Sequence, residues 1–457
     1  MTGTAPDGGN KRRVTVAALL FLIAEGILLF AVPRADFFST YGLFLFLFAL
    51  YFYLLRCQGH MNMSFFIGLA VAIRILAIFN IPELSDDFYR FIWDGKMSAL
   101  HINPFRLTPA AFMQHHRASA DLQTLYSRMN SPDYHTIYPP VLQYIFYLAA
   151  RLSGTSITGA VYIMKLIIVA AELVTIKFIL RLLHLKQMRP QYSLLYLLNP
   201  LIVVELTGNL HFEALMICFL VCSFYYLHKE SYFAAAVCWG LAIASKLTPL
   251  IIAPLLLRFL GVRKFAFGGT VAALLVVALF LPFYGPGFFE GFNASARLFY
   301  HLFEFNASIF YAIRSAGYLF VDYDIIEETA PVLGVISLVV ILLVSWWPTP
   351  KFSIENKTLW VFFTYFLFST MVHPWYISIL LMCGIFTRYR FPVLFTLLIP
   401  LSYFPYSLQV YSENLFVVLG EYLLVFGYLL WEIRRKGRPH PSGWFAGSLV
   451  NTEADDA

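Results

Sequence analysis

Apolar residues run in near-continuous stretches along almost the whole chain: 14–32, 37–55, 64–81, 138–152, 157–183, 191–208, 211–228, 231–246, 248–260, 264–283, 329–347, 357–372, 374–388, 391–408 and 413–432. Most approach the roughly 20 residues that an α-helix needs to cross a hydrocarbon layer about 30 Å thick. Inside that layer no water is present to satisfy the backbone, so a spanning segment is a helix or part of a closed barrel. Barrel strands alternate polar and apolar side chains over about ten residues, and these runs do not alternate. Charge is correspondingly scarce. Only 13% of the 457 residues are charged and 60% are hydrophobic, where a soluble chain carries about 25% charge. A soluble multidomain protein, a disordered chain and a collagen-like chain are excluded. The remaining fold class is an all-α polytopic membrane protein, with about 12–14 transmembrane helices if most runs span.

The net charge of +6 is no nucleic-acid signature, because Lys and Arg sit at the ends of apolar runs, where they set topology. The polar tail 1–13 ends in Lys11-Arg12-Arg13, and the first run is too long for a signal peptide and lacks a small-residue cleavage site. It reads as a first span with a cytoplasmic N-terminus. The tail 433–457 carries Arg434-Arg435-Lys436-Gly437-Arg438 and also reads as cytoplasmic. Between the tails lies one transmembrane domain, 14–432, with outside loops at about 82–138 and 284–328. If both 138–152 and 157–183 spanned, Arg181, His184, Lys186 and Arg189 would fall outside. A re-entrant or interfacial helix started by Pro139-Pro140 returns them to the inside. The runs 231–246 and 248–260 are short enough to be one helix broken at Lys246-Leu247-Thr248-Pro249. Cys218 and Cys222, four apart, read as packed thiols.

The loop after residue 82 is the longest polar stretch, and it opens Ser85-Asp86-Asp87-Phe88-Tyr89-Arg90-Phe91-Ile92-Trp93-Asp94-Gly95-Lys96. A helix starting near Ser85 places Asp87, Arg90 and Asp94 on one face, with Asp86 able to reach Arg90 four residues on. Phe88, Phe91, Ile92 and Trp93 make the segment amphipathic, as a helix in the membrane interface would be. Two carboxylates and an arginine on one face suit a general base and an anion-steadying group. The plainer alternative makes Ser85 or Asp86 an N-cap and Asp94-Gly95 the helix end. Arg74, Lys165, Glu172 and Lys246 lie within apolar runs, where charge demands a partner or a cavity. Lys165 and Glu172, seven apart, read as a buried pair, and Glu25 and Glu421 as structural. In the second outside loop, Arg297, His301 and Glu304 are spaced along one helix face that reads as solvated.

Together, SDDFYRFIWDGK, HINPF at 101–105 and HTIYPPVLQY at 135–144 resemble the first luminal or periplasmic loop of the GT-C superfamily. These are integral-membrane glycosyltransferases that use polyprenyl-phosphate sugars. The nearest likeness is to bacterial polyprenyl-phosphate-mannose-dependent mannosyltransferases, with a looser one to the first GPI mannosyltransferase. Further likenesses follow in order. Asn199-Pro200 with Glu205 precedes Gly208-Asn209-Leu210-His211-Phe212-Glu213, similar to a Gly-His-Asn-Asp-like turn, with His211 and Glu213 departing from the usual order. Lys246-Leu247-Thr248-Pro249 is similar to a Lys-x-x-Pro element, and His373-Pro374-Trp375-Tyr376 to a late His-Pro-Trp-Tyr motif.

The resemblance implies a GT-C-like bundle in a bacterial inner membrane with its active site facing outside. It implies a polyprenyl-phosphate sugar donor, most of all mannose, and a glycan or glycolipid acceptor at the outer face. The catalytic carboxylate it implies is Asp86, with Asp87 as close competitor and Asp94 beside them. Arg90, Tyr138, His211, Glu213, Lys246, Arg297 and His373 are the candidates for substrate and lipid-phosphate binding. Carboxylates near a phosphate permit a divalent cation, Mg or Mn, without demanding one. The competing class is a secondary transporter or a flippase for lipid-linked sugars. It predicts inverted repeats and ionisable groups at mid-bilayer, whereas here no clear repeat is visible and the polar chemistry gathers in one outside loop.

Overall fold

The structure, a computed structural model, describes residues 8–301, 303–349 and 353–435. Among the described residues the regular structure is helical; extended pairing is limited to one isolated bridge between Phe305 and Met371. The chain is an all-α polytopic membrane protein. Five helical stretches are long and apolar enough to cross a membrane: 9–31, 37–56, 248–283, 326–346 and 415–434, with one sharply bent pair as a sixth. The 12 to 14 expected spans differ from this in helix length, not in apolar content. The helices Met63–Ile78, Tyr232–Ser245 and Ile354–Phe368 have only 14 to 16 residues. The runs 191–208 and 391–408 are strings of short α, 3-10 and π turns. Ile157–Leu185, at 29 residues, is long enough but carries several charges. At the N-terminus the described helix covers Gly8–Ala31, so Lys11, Arg12 and Arg13 lie in its first turns. Residues 1–7 and 436–457, with Lys436 and Arg438, lie outside the described residues.

Two chain reversals correct the reading of 231–260 as one broken helix. Trp239 Nε1 donates to the Pro249 carbonyl at 3.0 Å, so the chain doubles back at Lys246 into a helical hairpin. The Trp239 ring also lies 6.4 Å from that of Phe265. A straight helix would separate residues 249 and 265 by about 24 Å. The chain therefore reverses again at Gly261, whose φ of 73° only glycine adopts without cost. The stretch 248–283 is thus two limbs. The second limb packs so closely on Tyr232–Ser245 that a Cβ at Gly240 would stand 3.1 Å from the Ala272 Cα. Pro140–Ser153 has 14 residues, or about 21 Å, less than the hydrocarbon thickness.

The intramembrane charges hold this frame together, though not in the expected pairing. Lys165 and Glu172 are separated by two turns, about 10.5 Å, too far for contact. Glu172 instead accepts from Arg74 Nε at 2.7 Å and from Tyr196 at 2.7 Å. Arg74 also donates to the carbonyls of Ala70 and Leu197. Lys165 Nζ lies within 2.7–3.0 Å of four oxygens, more than its three N–H groups: the carbonyls of Ala77, Asn80 and Gly208, and Asn80 Oδ1. Glu421 accepts from Asn306. Glu25 is fully buried, with no hydrogen-bond partner among the described residues. Cys218 and Cys222 are buried free thiols.

The remaining polar groups separate to opposite ends of the bundle. At one end Lys186 and His228 both bond the buried Glu355, at 3.0 and 2.7 Å. At the other end the two long loops pack on each other: Phe105 lies against Phe283 and Phe288, and Ser295 Oγ donates to the His135 carbonyl. Removing one partner of a buried pair leaves an uncompensated charge, which costs about 3–5 kcal/mol. Glu172→Ala should therefore lower the melting temperature in detergent by several degrees, whereas Lys186→Ala, which leaves Glu355 its bonds to His228 and Ser353, should cost less.

Candidate active site

The loop helix Asp87–Ala99 starts with Asp86 in the N-cap position and Asp87 in its first turn, where the helix dipole favours a carboxylate. Gly95 lies inside this helix and does not end it. A Cβ there would stand 2.1 Å from the Phe146 carbonyl oxygen, so glycine allows the loop helix and Pro140–Ser153 to touch backbone to backbone. Phe91 stacks on Phe146 at 4.8 Å along the same seam, and Trp93 meets Phe112 edge-on at 5.6 Å. Phe88, Phe91, Ile92 and Trp93 are all buried within the protein. The amphipathic face is covered by the chain itself; it is not laid bare to the membrane interface.

Arg90 and Asp94 are brought together, but as a staple. Arg90 Nε donates to Asp94 at 2.9 Å, and its Nη1 donates to the carbonyls of Ser131 and Tyr134. The second Asp94 oxygen accepts from Gln143 at 3.2 Å. Both side chains are almost wholly buried. They fasten residues 131–136 and the next helix to the loop helix, while Arg90 Nη2 keeps no hydrogen-bond partner among the described residues. Asp86 does not reach Arg90, because its carboxylate meets Arg34 Nη2 at 2.9 Å. Arg34 also lies over the Tyr406 ring at 4.8 Å. Sequence reasoning missed Arg34. The available signal was its position, an arginine in the short turn between the first two apolar runs.

Asp87 is half-buried and takes one hydrogen bond, from Asn130 at 3.1 Å. Burial pushes its carboxyl above the usual carboxylate range, with help from the Asp86 and Glu213 charges, against the opposing pull of His211 and Asn130. The other side of the site comes from a broken helix. Pro200–Gly208 and Glu213–His228 meet at 115°. The break is built from a π turn, Val203–Gly208, and from Leu210 at φ 63°. The Gly208 carbonyl accepts from both Lys165 and Asn80, which holds the break in place. At the bend, His211 Nδ1 lies 2.9 Å from the Glu205 carbonyl and 3.3 Å from its carboxylate. Glu205 is itself bonded by the Tyr403 hydroxyl at 2.6 Å.

The His211 ring stacks on Trp375 at 3.6 Å, and His373 stacks on the same indole at 4.4 Å. His373 is set by backbone pairing just before it, where Phe305 and Val372 exchange a bond at 2.8 Å. Burial, then Lys246 and His211, push its imidazole down to about 3, so it is neutral at physiological pH. Glu213 pairs with Lys246, whose Nζ stands 3.9 Å above the Tyr376 ring. Tyr138 packs edge-on against Phe91 and Phe146, with its phenol pushed up by burial and by Asp87.

Asp86, Asp87, Tyr138, His211, Glu213, Lys246 and His373 thus gather around one region together with Arg34. Arg297 does not join them. It is 71% exposed and lies 3.8 Å from the equally exposed Glu327. Its helix, Phe288–His301, buries Phe288, Gly291 and Ser295 and leaves Phe289 exposed. The His301 side chain lies outside the described residues, and Glu304 pairs with Arg314. Among the described residues no group of three His, Cys, Asp or Glu is placed to hold a metal ion.

A family model described as alpha-(1->6)-mannopyranosyltransferase, N-terminal domain, matches residues 27–261, just over half of the chain. The match contains Arg34, Asp86, Asp87, His211, Glu213 and Lys246; His373 and Trp375 lie beyond it. No curated protein and no solved structure matches the chain.

The two acids should separate in stability. The folded-state pKa of Asp87 is raised, so above that pKa the ionised native form is penalised, and neutralising it relieves the penalty. Asp87→Asn should melt at or above the parent at neutral pH, as expected of a site that trades stability for function. Asp94→Asn weakens the partner of a buried arginine and should melt several degrees lower.

Proposed function

Because the chain belongs to the alpha-(1->6)-mannopyranosyltransferase family, and is thus a membrane glycosyltransferase of the mannosyl class, we propose that Asp87 is the base that activates its acceptor hydroxyl. The donor is polyprenyl-phosphate mannose, and the acceptor is a glycan or glycolipid at the outer face of a bacterial inner membrane. The observation that carries the assignment is the difference between two neighbouring carboxylates. Asp86 is committed to Arg34, while Asp87 has only the Asn130 amide and a raised affinity for a proton. Efficient general bases have a pKa raised towards the working pH, so Asp87 outranks Asp86. The residues of the site sit at helix ends that the charge pattern assigns to the side opposite Lys186 and His228, which supports an outward-facing centre.

The chemistry is one displacement. The acceptor oxygen attacks the anomeric carbon while Asp87 takes its proton, and the bond to the phosphate oxygen breaks with its electron pair. Inversion follows, so an α-linked product requires a β-linked donor. Lys246 and Arg34 are the two cations at the site with part of their side chains accessible, 27% and 30%. They meet the charge growing on the lipid phosphate, where a well-placed donor contributes about 3–4 kcal/mol. Both exchange a carboxylate partner for the phosphate when the donor arrives. Tyr138, partly exposed beside Asp87, meets the mannose.

With purified protein and polyprenyl-phosphate mannose, Asp87→Asn should lower kcat by at least a hundredfold, the usual scale of general-base catalysis. Asp86→Asn should leave more than a tenth of the activity. Lys246→Ala should raise the donor KM more than it lowers kcat, and Arg297→Ala should stay within twofold of the parent. A nucleotide-linked mannose should not replace the lipid donor. Full transfer by Asp87→Asn overturns the assignment. The parent rate should rise with pH through a limb above the ordinary aspartate value of about 3.9.

A further inference from the structure

Arg12 and Arg13 take no part in the active site. Both are exposed in the first turns of the helix Gly8–Ala31. From Arg12 to Ala31 that helix rises about 29 Å, and Arg34, just beyond it, meets Asp86 in the site. The two arginines therefore lie at the opposite end of the bundle. Basic residues at the end of a span set its orientation whichever face they occupy. Here the face is defined. Gly9, Arg12, Arg13, Val16, Ala17 and Leu20 recur at the spacing of one helix stripe, and that stripe is one wall of an open groove of about 620 Å³. Leu50 and Tyr53, three apart on the helix Phe37–Arg56, form the other wall.

The groove is graded in polarity. One end carries the two guanidinium groups, and among the described residues no acidic side chain lines it. Val16 and Leu20, one and two turns further along the helix, are half-exposed, and Leu50 lines the wall opposite. Ala17, between them, brings only a methyl group to the wall. The volume lies in the range of small-molecule sites. A pair of cations at the end of a span, with an apolar channel leading from it towards the hydrocarbon layer, matches the two parts of a phospholipid.

We propose that this groove binds an anionic phospholipid of the leaflet opposite the active site. Its phosphate meets Arg12 and Arg13, and one acyl chain lies along Val16, Leu20 and Leu50. Guanidinium groups fork onto phosphate oxygens, which gives geometry as well as charge. A zwitterionic lipid offers the same phosphate with a cation attached, which two arginines disfavour. Basic pockets between spans on the cytoplasmic side hold anionic headgroups in this way. The lipid-linked donor is not the occupant, because its phosphate is needed at the far end of the helix. The site is independent of which carboxylate serves as base.

Native mass spectrometry of the full chain in detergent, titrated with dioleoylphosphatidylglycerol or dioleoylphosphatidylcholine, tests the site. The parent should hold the phosphatidylglycerol at least fivefold more tightly, and millimolar glycerol phosphate should not displace it. Arg12→Gln and Arg13→Gln should each weaken retention of the anionic lipid about fivefold, the scale of one basic residue at a membrane surface. Lys11→Gln removes the same charge from a neighbouring position that does not line the groove, and it should stay within twofold of the parent. Val16→Trp leaves the charge unchanged and narrows the groove from a half-exposed position, so it should also weaken retention. Each variant removes at most one charge, so the first turns stay basic and the span keeps its orientation. Equal retention of the two lipids by the parent overturns the proposal. So does an equal effect of Lys11→Gln and the arginine variants, the mark of diffuse charge. Displacement by glycerol phosphate would assign the arginines to a soluble anion, and parental retention in Val16→Trp would remove the groove; either result also overturns it.

Discussion

Lys165 connects the interior of this protein to its chemistry. An irregular backbone in an apolar environment must have its polar groups satisfied by the protein itself. The helix from Pro200 to His228 is broken through 115°, and its free Gly208 carbonyl is met by the buried Lys165 ammonium and the Asn80 amide. The same ammonium closes the end of the helix Met63–Ile78 through the carbonyls of Ala77 and Asn80. Asn209, at the bend, receives the Leu84 N–H. One cation thus joins the third helix, the break and the start of the catalytic loop. Asp87 follows three residues after Leu84 and His211 two after Asn209, so the Leu84–Asn209 bond ties their two segments together.

Around this staple, several of the buried charges are paired. Arg74 has Glu172, Arg90 has Asp94, Arg34 has Asp86 and Lys246 has Glu213. The first two pairs are fully buried and serve the frame. The last two keep part of their surface open, and those are the pairs that a phosphate could exchange into. Asp87, by contrast, has no oppositely charged partner in hydrogen-bond contact among the described residues, only the Asn130 amide. A group left unpaired where its neighbours are paired is where a reaction can use its proton affinity.

Much of this was legible in the sequence. The class followed from the apolar runs, the loop helix from the spacing of Asp87, Arg90 and Asp94, and the gathering of four distant motifs from a family likeness. What escaped were choices between partners. Asp86 could reach Arg90 by spacing, yet Arg34, some fifty residues earlier, meets it first. Lys165 and Glu172 share a helix face but are separated by two turns, so each pairs across a helix boundary. Gly95 read as a helix end because its real constraint, the Phe146 carbonyl, lies on another helix. Local periodicity fixes which face a residue occupies, whereas the partner on that face is decided by tertiary contacts no short window contains. The runs around 191–208 and 391–408 show the same limit: their hydropathy is that of spans, but proline and π turns divide them.

The central claim is that Asp87 takes the acceptor's proton and does not merely shape the site. Donor binding and single-turnover transfer, followed side by side on Asp87→Asn with polyprenyl-phosphate mannose, test it most directly. The account expects donor affinity within threefold of the parent and a transfer step slowed at least a hundredfold, the scale of a lost general base. Transfer at the parental rate, or a slowing explained wholly by lost donor binding, would contradict it.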